Sequence, residues 1–197
     1  MISLSFADVL LLMFGAIVAE NFVFSKLFVS RSFIRGAEKP GTALILGLTT
    51  AAVTTLSSAL VWVEYNLVLA PLGLEVFRTM AFVLTLALLV KALGVACRKL
   101  APSLYETVGA YLPLVGINYA VLGALLLGIE KGYDLVATVC YGLAASLGFA
   151  LALLVFAGVR KRIEFSKPPR AFEGLPIALI AAGLVAMAFS GFLGIKF

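Results

Sequence analysis

Six long apolar segments, joined by short polar loops, constrain this chain more than any other feature. A helix needs about 20 mostly apolar residues to cross the hydrocarbon core of a bilayer. Of the 197 residues, 63% are hydrophobic and 13% are charged. Soluble domains have fewer hydrophobic and more charged residues than this. We therefore predict an all-α integral membrane protein with one membrane domain, residues 1–197, and no extramembrane domain. The predicted spans are Phe6 to Phe28, Gly41 to Val63, Phe77 to Cys97, Glu106 to Leu127, Leu135 to Val159 and Gly174 to Leu193.

Basic residues are concentrated in the first, third and fifth loops. Loops rich in Lys and Arg remain in the cytoplasm, so we expect a protein of the inner (cytoplasmic) membrane with both termini on the outer side. The formal net charge of +5 arises mostly from these loops, and no nucleic-acid partner is implied. The basic residues of these loops are Arg31, Arg35, Lys39, Arg98, Lys99, Arg160, Lys161, Arg162, Lys167 and Arg170.

The two halves of the chain resemble each other. Phe77 opens one apolar run and Phe172 opens a similar run about 95 positions later, close to the offset between Asn21 and Asn118. We interpret this as a duplication, with repeats of about 1–98 and about 103–197 and three spans in each. Because three is odd, the second copy enters the membrane from the opposite side, which predicts two inverted repeats with a site where they meet.

The first and fourth spans are predicted to be broken helices. Gly109, Pro113 and Gly116 fall shortly before Asn118, and both residue types weaken a helix. Asn21 lies at the matching place in the first span. Two interpretations stay open here: ordinary kinks held by asparagine hydrogen bonds between helices, or unwound backbone that lines a polar site.

An ionisable residue inside the first span favours the polar site. A carboxylate within a span marks an ion or proton path by default, and Glu20 directly precedes Asn21. We therefore predict an ion path through Glu20, Asn21 and Asn118. Lys26 and Lys91 lie near the cytoplasmic ends of their spans, where long side chains extend to the surface.

Four segments carry a resemblance to a known family of membrane proteins. They are ENFVFSKLF, FRTMAFVLTLALLV, SLYETVGAYLPLVGINYAVLGALLL and FEGLPIALIAAGLVAMAFSGF, in this order and spacing. They resemble RnfA of the Rnf ion-translocating oxidoreductases and its counterpart NqrE of the sodium-pumping NADH:quinone reductases (the RnfA/NqrE family). The resemblance implies six spans in two inverted repeats, a heterodimer with a sister six-helix subunit of the RnfE/NqrD kind, and further Rnf-type redox subunits as partners. It also implies a [2Fe-2S] cluster held between the two sister subunits.

The chain departs from that family at both cluster ligands. The positions of the two family cysteines are occupied by Arg31 and Tyr119, and the chain contains no histidine. Iron–sulfur clusters need thiolate or imidazole ligands. Cys97 and Cys140 are predicted at opposite ends of their spans, too far apart to share a cluster. Our hypothesis is that the scaffold persists without its own cluster, and that guanidinium and phenol meet in its place.

Three functions follow from these observations. The first is a membrane subunit of an Rnf-like electron-transport complex that couples electron transfer to Na⁺ or H⁺ translocation. The second is a module that conducts an ion or solute without redox chemistry, and the third is a purely structural subunit. The chain shows no nucleotide-binding glycine loop and no nucleophile with its base, so we expect no catalysis from this chain alone.

Overall fold

Helices form nearly all of the chain that the computed structural model describes, which is residues 6–19, 21, 31–163, 165 and 169–191. Within this part no strand is present. Short π-helical turns follow two of the α-helices, at Gly15–Ala19 and Tyr65–Leu69. The α-helices are α1 (Phe6–Phe14), α2 (Arg31–Gly36), α3 (Pro40–Glu64), α4 (Arg78–Leu100), α5 (Pro102–Val108), α6 (Leu112–Gly116), α7 (Tyr119–Glu130), α8 (Leu135–Ile163) and α9 (Leu175–Ser190).

The lengths of these helices agree with a membrane protein. In the described part, three runs are long and apolar enough to cross a membrane, Pro40–Leu69, Glu75–Leu100 and Leu135–Ile163, with 30, 26 and 29 residues. They coincide with the second, third and fifth predicted spans. Three shorter apolar runs coincide with the first, fourth and sixth spans: Ala7–Val18, Tyr119–Glu130 and Leu175–Ser190. The prediction of an all-α membrane protein is confirmed.

Helices α3 and α8 form the centre of the structure and pack with their backbones very close. A Cβ added to Gly47 would lie 2.7 Å from Cβ of Ala150, and a Cβ added to Gly142 would collide with Oγ of Ser58. Residue numbers rise along one helix as they fall along the other, so the pair is antiparallel. Small residues permit such close approach in membrane bundles. These helices are the second spans of the two predicted halves, but the inverted symmetry itself stays a prediction.

The short helix α2 packs against the C-terminal part of α8. The ring of Phe33 is fully buried, stacked on Phe156 with centroids 5.3 Å apart and edge-on to Phe149 at 6.0 Å. In addition, Nη1 of Arg160 donates a hydrogen bond of 2.7 Å to the backbone carbonyl of Ile34. Two independent contacts therefore fix the position of α2, whose first residue is Arg31.

The predicted break in the fourth span is present, and it consists of two interruptions. Helix α5 ends at Val108, and α6 begins at Leu112 with Pro113 in its first turn. Proline is tolerated there because the amides of a first helical turn lack partners within the helix. Helix α6 ends at Gly116, and α7 begins after the non-helical Asn118. In the first span, the helix described ends at Ala19, and Asn21 is not helical.

Candidate functional site

Asn118 organises the second interruption of the fourth span. Its backbone is extended, and its side-chain Oδ1 accepts a hydrogen bond of 3.0 Å from the backbone N–H of Ala120. This is the N-cap arrangement that starts a new helix, here α7. The side chain is buried. Asn118 therefore satisfies backbone groups at the break, which must be protected from lipid.

Asn21 connects the first span to the centre of the bundle. Its Nδ2 donates to the carbonyl of Ile17 at 3.0 Å and to the carbonyl of Gly148 on α8 at 2.8 Å. The side chain is fully buried. A Cβ added to Gly148 would lie 3.3 Å from Nδ2 of Asn21, so this glycine leaves room for the amide. Both asparagines thus support interrupted helices. Their part in an ion path stays a prediction, and Glu20 lies outside the described residues.

The two positions of the family's cluster ligands lie at the ends of helices. Tyr119 is the first residue of α7 and is 61% exposed on the surface of this chain, next to Ile117 at 70%. Arg31 is the first residue of α2, and its side chain lies outside the part that the structure describes. Contact between Arg31 and Tyr119 therefore stays a prediction.

The residues at these positions do not fit an iron–sulfur cluster. Guanidinium offers no lone pair to a metal, and the clusters take thiolates or imidazoles. Cys97 on α4 and Cys140 on α8 are free and half-buried. Among the described residues, no group of three or more His, Cys, Asp or Glu side chains could hold a metal ion.

A small cavity lies between α3, α7 and α8, beside the first turn of α7 that Asn118 caps. The volume open to the centre of a water molecule is about 10 Å³. Hydroxyl-bearing residues line it from both long helices, although most of its lining is apolar. The lining residues are Thr50, Thr54, Ala120, Val121, Ala124, Ala145, Ser146 and Phe149.

A carboxylate that the apolar pattern does not predict to lie in a helix, Glu64, is part of the bundle. Glu64 directly follows Val63, where the predicted second span ends, but the helical run continues to Leu69. One of its oxygens, Oε2, accepts a hydrogen bond of 2.7 Å from the hydroxyl of Thr85, two turns inside α4. The apolar stretch that resumes after Glu64 is the feature of the sequence that indicates a longer helix.

Comparison with known proteins agrees with this architecture over nearly the whole chain. The family described as "Rnf-Nqr subunit, membrane protein" matches residues 9–196. The A-type subunit of the Na⁺-translocating ferredoxin:NAD⁺ oxidoreductase complex of Acetobacterium woodii is 42% identical over 185 residues, which cover 94% of this chain and 96% of that protein. The A-type subunit of the ion-translocating oxidoreductase complex of Syntrophotalea carbinolica is 40% identical over 95% of this chain and 97% of that protein. Its namesake from Vibrio cholerae is 39% identical over 98% of this chain and 91% of its own length. The chain belongs to the Rnf-Nqr family of membrane subunits.

Proposed function

We propose that this chain is the RnfA-type membrane subunit of an Rnf-like complex, which couples electron transfer between ferredoxin and NAD⁺ to the translocation of Na⁺ or H⁺. The observation that carries the proposal is similarity to such subunits along the full length of both proteins, at 42% identity in the Acetobacterium woodii protein. The chain supplies membrane helices, and the activity belongs to the assembly.

The test is purification of the complex through an affinity tag on this chain, followed by reconstitution into vesicles. We expect ferredoxin-dependent reduction of NAD⁺ together with uptake of a cation, and loss of both when the gene for this chain is deleted. Recovery of the chain without any redox subunit would contradict the proposal. It would favour the alternative of a module that conducts ions without redox chemistry.

A sister six-helix subunit is the partner that we propose for the surface around Tyr119. Non-helical backbone at membrane depth is tolerated only where protein or a wet cavity covers it. The break at Ile117 and Asn118 lies within the fourth predicted span, and Ile117 and Tyr119 are both largely exposed on this chain alone. A protein surface laid over this break protects it from lipid.

Photo-crosslinking tests this arrangement. A photoreactive amino acid placed at Tyr119 should crosslink the sister subunit. The same group at Leu84, which is exposed in the second turn of α4, serves as a comparison position. Crosslinks from Tyr119 to lipid alone would contradict the proposed interface.

We further propose that this chain contributes no ligand to a [2Fe-2S] cluster. The support is the chemistry of Arg31 and Tyr119, neither of which is a thiolate or an imidazole. Iron analysis and EPR of the complex, with the signals of other redox subunits assigned separately, test this. A cluster signal that is lost on Tyr119→Phe would overturn it.

A further inference from the structure

Helix α3 carries a line of polar side chains through the core of the bundle. Thr50, Thr54, Ser57 and Glu64 stand at intervals of four, three and seven residues. With 3.6 residues per turn, these positions fall within about 80° of one another on one helix face. From Thr54 to Glu64 the rise is about 15 Å. The line therefore runs from the cavity towards the end of α3 that carries Glu64.

Two buried hydroxyl groups, one on this line and one on α8, have no hydrogen-bond partner within the described part of the chain. They are Oγ of Ser57, a residue with 0% exposure, and Oγ1 of Thr138 on α8, with 2%. Buried polar groups in native proteins are almost always paired, with water where protein groups are lacking. A water molecule is a partner that would satisfy either hydroxyl.

The two unpaired hydroxyls lie between the cavity and Glu64. Ser58 and Gly142 are in contact where α3 and α8 cross. Because the helices are antiparallel, Thr138 lies one turn farther than Ser58 towards Glu64. Along the axis of α3 the order is thus cavity, Ser57, Thr138 and Glu64, where Thr138 lies beside Gly128 of α7 and Glu64 is bonded to Thr85 of α4. We call five hydroxyl residues, Thr50, Thr54 and Ser57 of α3 together with Thr138 and Ser146 of α8, the hydroxyl seam.

The cavity at the inner end of the seam has the size and the chemistry for one water molecule. A water needs roughly 10–15 Å³ of such volume and two to four polar partners. Thr50 and Thr54 donate their hydroxyl hydrogens to the carbonyls of Leu46 and Thr50, each at 2.7 Å. Ser146 likewise donates within α8. The oxygen lone pairs of these hydroxyls remain available to accept the hydrogens of a water.

We propose that the hydroxyl seam is an internal route for water, and for protons passed along it, between the bundle end at Glu64 and the cavity at the centre of the core. Each oxygen that accepts a proton releases another, so no net change occurs along the route. Water suits the seam better than a metal cation, because the cavity residues provide no carboxylate and a hydrated cation exceeds its volume. The hydroxyls of the route belong to α3 and α8, and the route does not depend on the redox role of the complex.

X-ray radiolytic footprinting of the purified complex tests the seam, because radicals formed from a bound water oxidise the side chains beside it. Phe149 lines the cavity with 2% exposure, and Phe82 on α4 is equally buried at 0% but lies away from it. We expect several-fold faster oxidation of Phe149 than of Phe82. Equal rates would mean a dry cavity and would overturn the proposal.

Two matched variants test whether the hydroxyls that line the cavity hold the water there. Thr54→Val keeps the side-chain shape but removes one of the three hydroxyls that line the cavity, so that a bound water loses one of its polar partners. We expect oxidation of Phe149 to fall towards the rate of Phe82, with Ser146→Ala as a second variant of the same kind. Thr55→Val removes an equivalent hydroxyl bond, to the carbonyl of Ala51, away from the cavity, and should change nothing. An unchanged rate in Thr54→Val and in Ser146→Ala would refute the assignment.

Isotope mixing separates an open route from a trapped water. The complex is mixed with H₂¹⁸O for milliseconds before exposure to X-rays. We expect ¹⁸O in the oxidised Phe149, since water along the seam exchanges with bulk solvent. Incorporation of ¹⁶O alone would show a sealed site and would overturn the route.

Discussion

Replacing Gly142 by alanine should destabilise the α3–α8 pair strongly. The added Cβ collides with Oγ of Ser58 and lies 3.0 Å from its Cβ. Rotating the hydroxyl away breaks its hydrogen bond of 2.9 Å to the carbonyl of Thr54 and still leaves the two Cβ atoms too close. Overpacking of a tight core costs roughly 1–3 kcal/mol and a lost hydrogen bond about 1 kcal/mol, so we expect a loss of about 2–4 kcal/mol.

Unfolding in mixed micelles, followed by tryptophan fluorescence, measures this loss. Trp62 is the single tryptophan of the chain, and its Nε1 donates to the carbonyl of Tyr133, so its emission reports packing of α3. Gly158→Ala is the control on the same helix, because nothing lies within 4 Å of the added Cβ. Alanine there should leave stability unchanged or raise it by up to about 1 kcal/mol. Equal stability of Gly142→Ala and Gly158→Ala would refute the reasoning. Adding Ser58→Ala to Gly142→Ala should recover part of the lost stability, and a failure to do so would also refute it.

Three further predictions concern the ends of the helices. Asn118→Ala should lower the free energy of unfolding by about 1 kcal/mol, because the N-cap of α7 is lost. Asn118→Asp should retain most of the stability, since aspartate is also a good N-cap, and thermal unfolding of the complex measures both variants. Arg31→Cys combined with Tyr119→Cys should bring iron and a [2Fe-2S] EPR signal into the complex if the sister subunit supplies its share of thiolates, whereas either single variant should not. Arg160→Ala should lower stability by about 1 kcal/mol through loss of the bond to α2, while Lys161→Ala, at an exposed position, should be neutral in the same unfolding assay.

The sequence predicts the membrane class and the break in the fourth span because both depend on local properties. Apolar length determines which segments can span, and glycine and proline near Asn118 weaken the helix there. The position of Pro113 was less predictable, since it opens the helix α6 instead of ending one. Whether proline breaks or begins a helix depends on where neighbouring interruptions fall.

Glu64 and the hydroxyl seam could not be predicted from the sequence because they depend on contacts between distant segments. The helix continues past Glu64, whose carboxylate meets a hydroxyl 21 residues later in the chain. Similarly, α3 bears hydroxyl residues on several faces, and packing on α8 determines which of them are buried. The expected contact between the side chains of Arg31 and Tyr119 also depends on such packing and stays a prediction.

The close approach of α3 and α8 has a consequence for how the protein moves. At Gly47 and Gly142 the two backbones are separated only by small side chains, so the helices cannot slide past each other there without collision. The two helices therefore behave as one rigid unit. Any rearrangement of the chain then falls to the interrupted helices around it, where Asn21 and Asn118 form hydrogen bonds at the breaks.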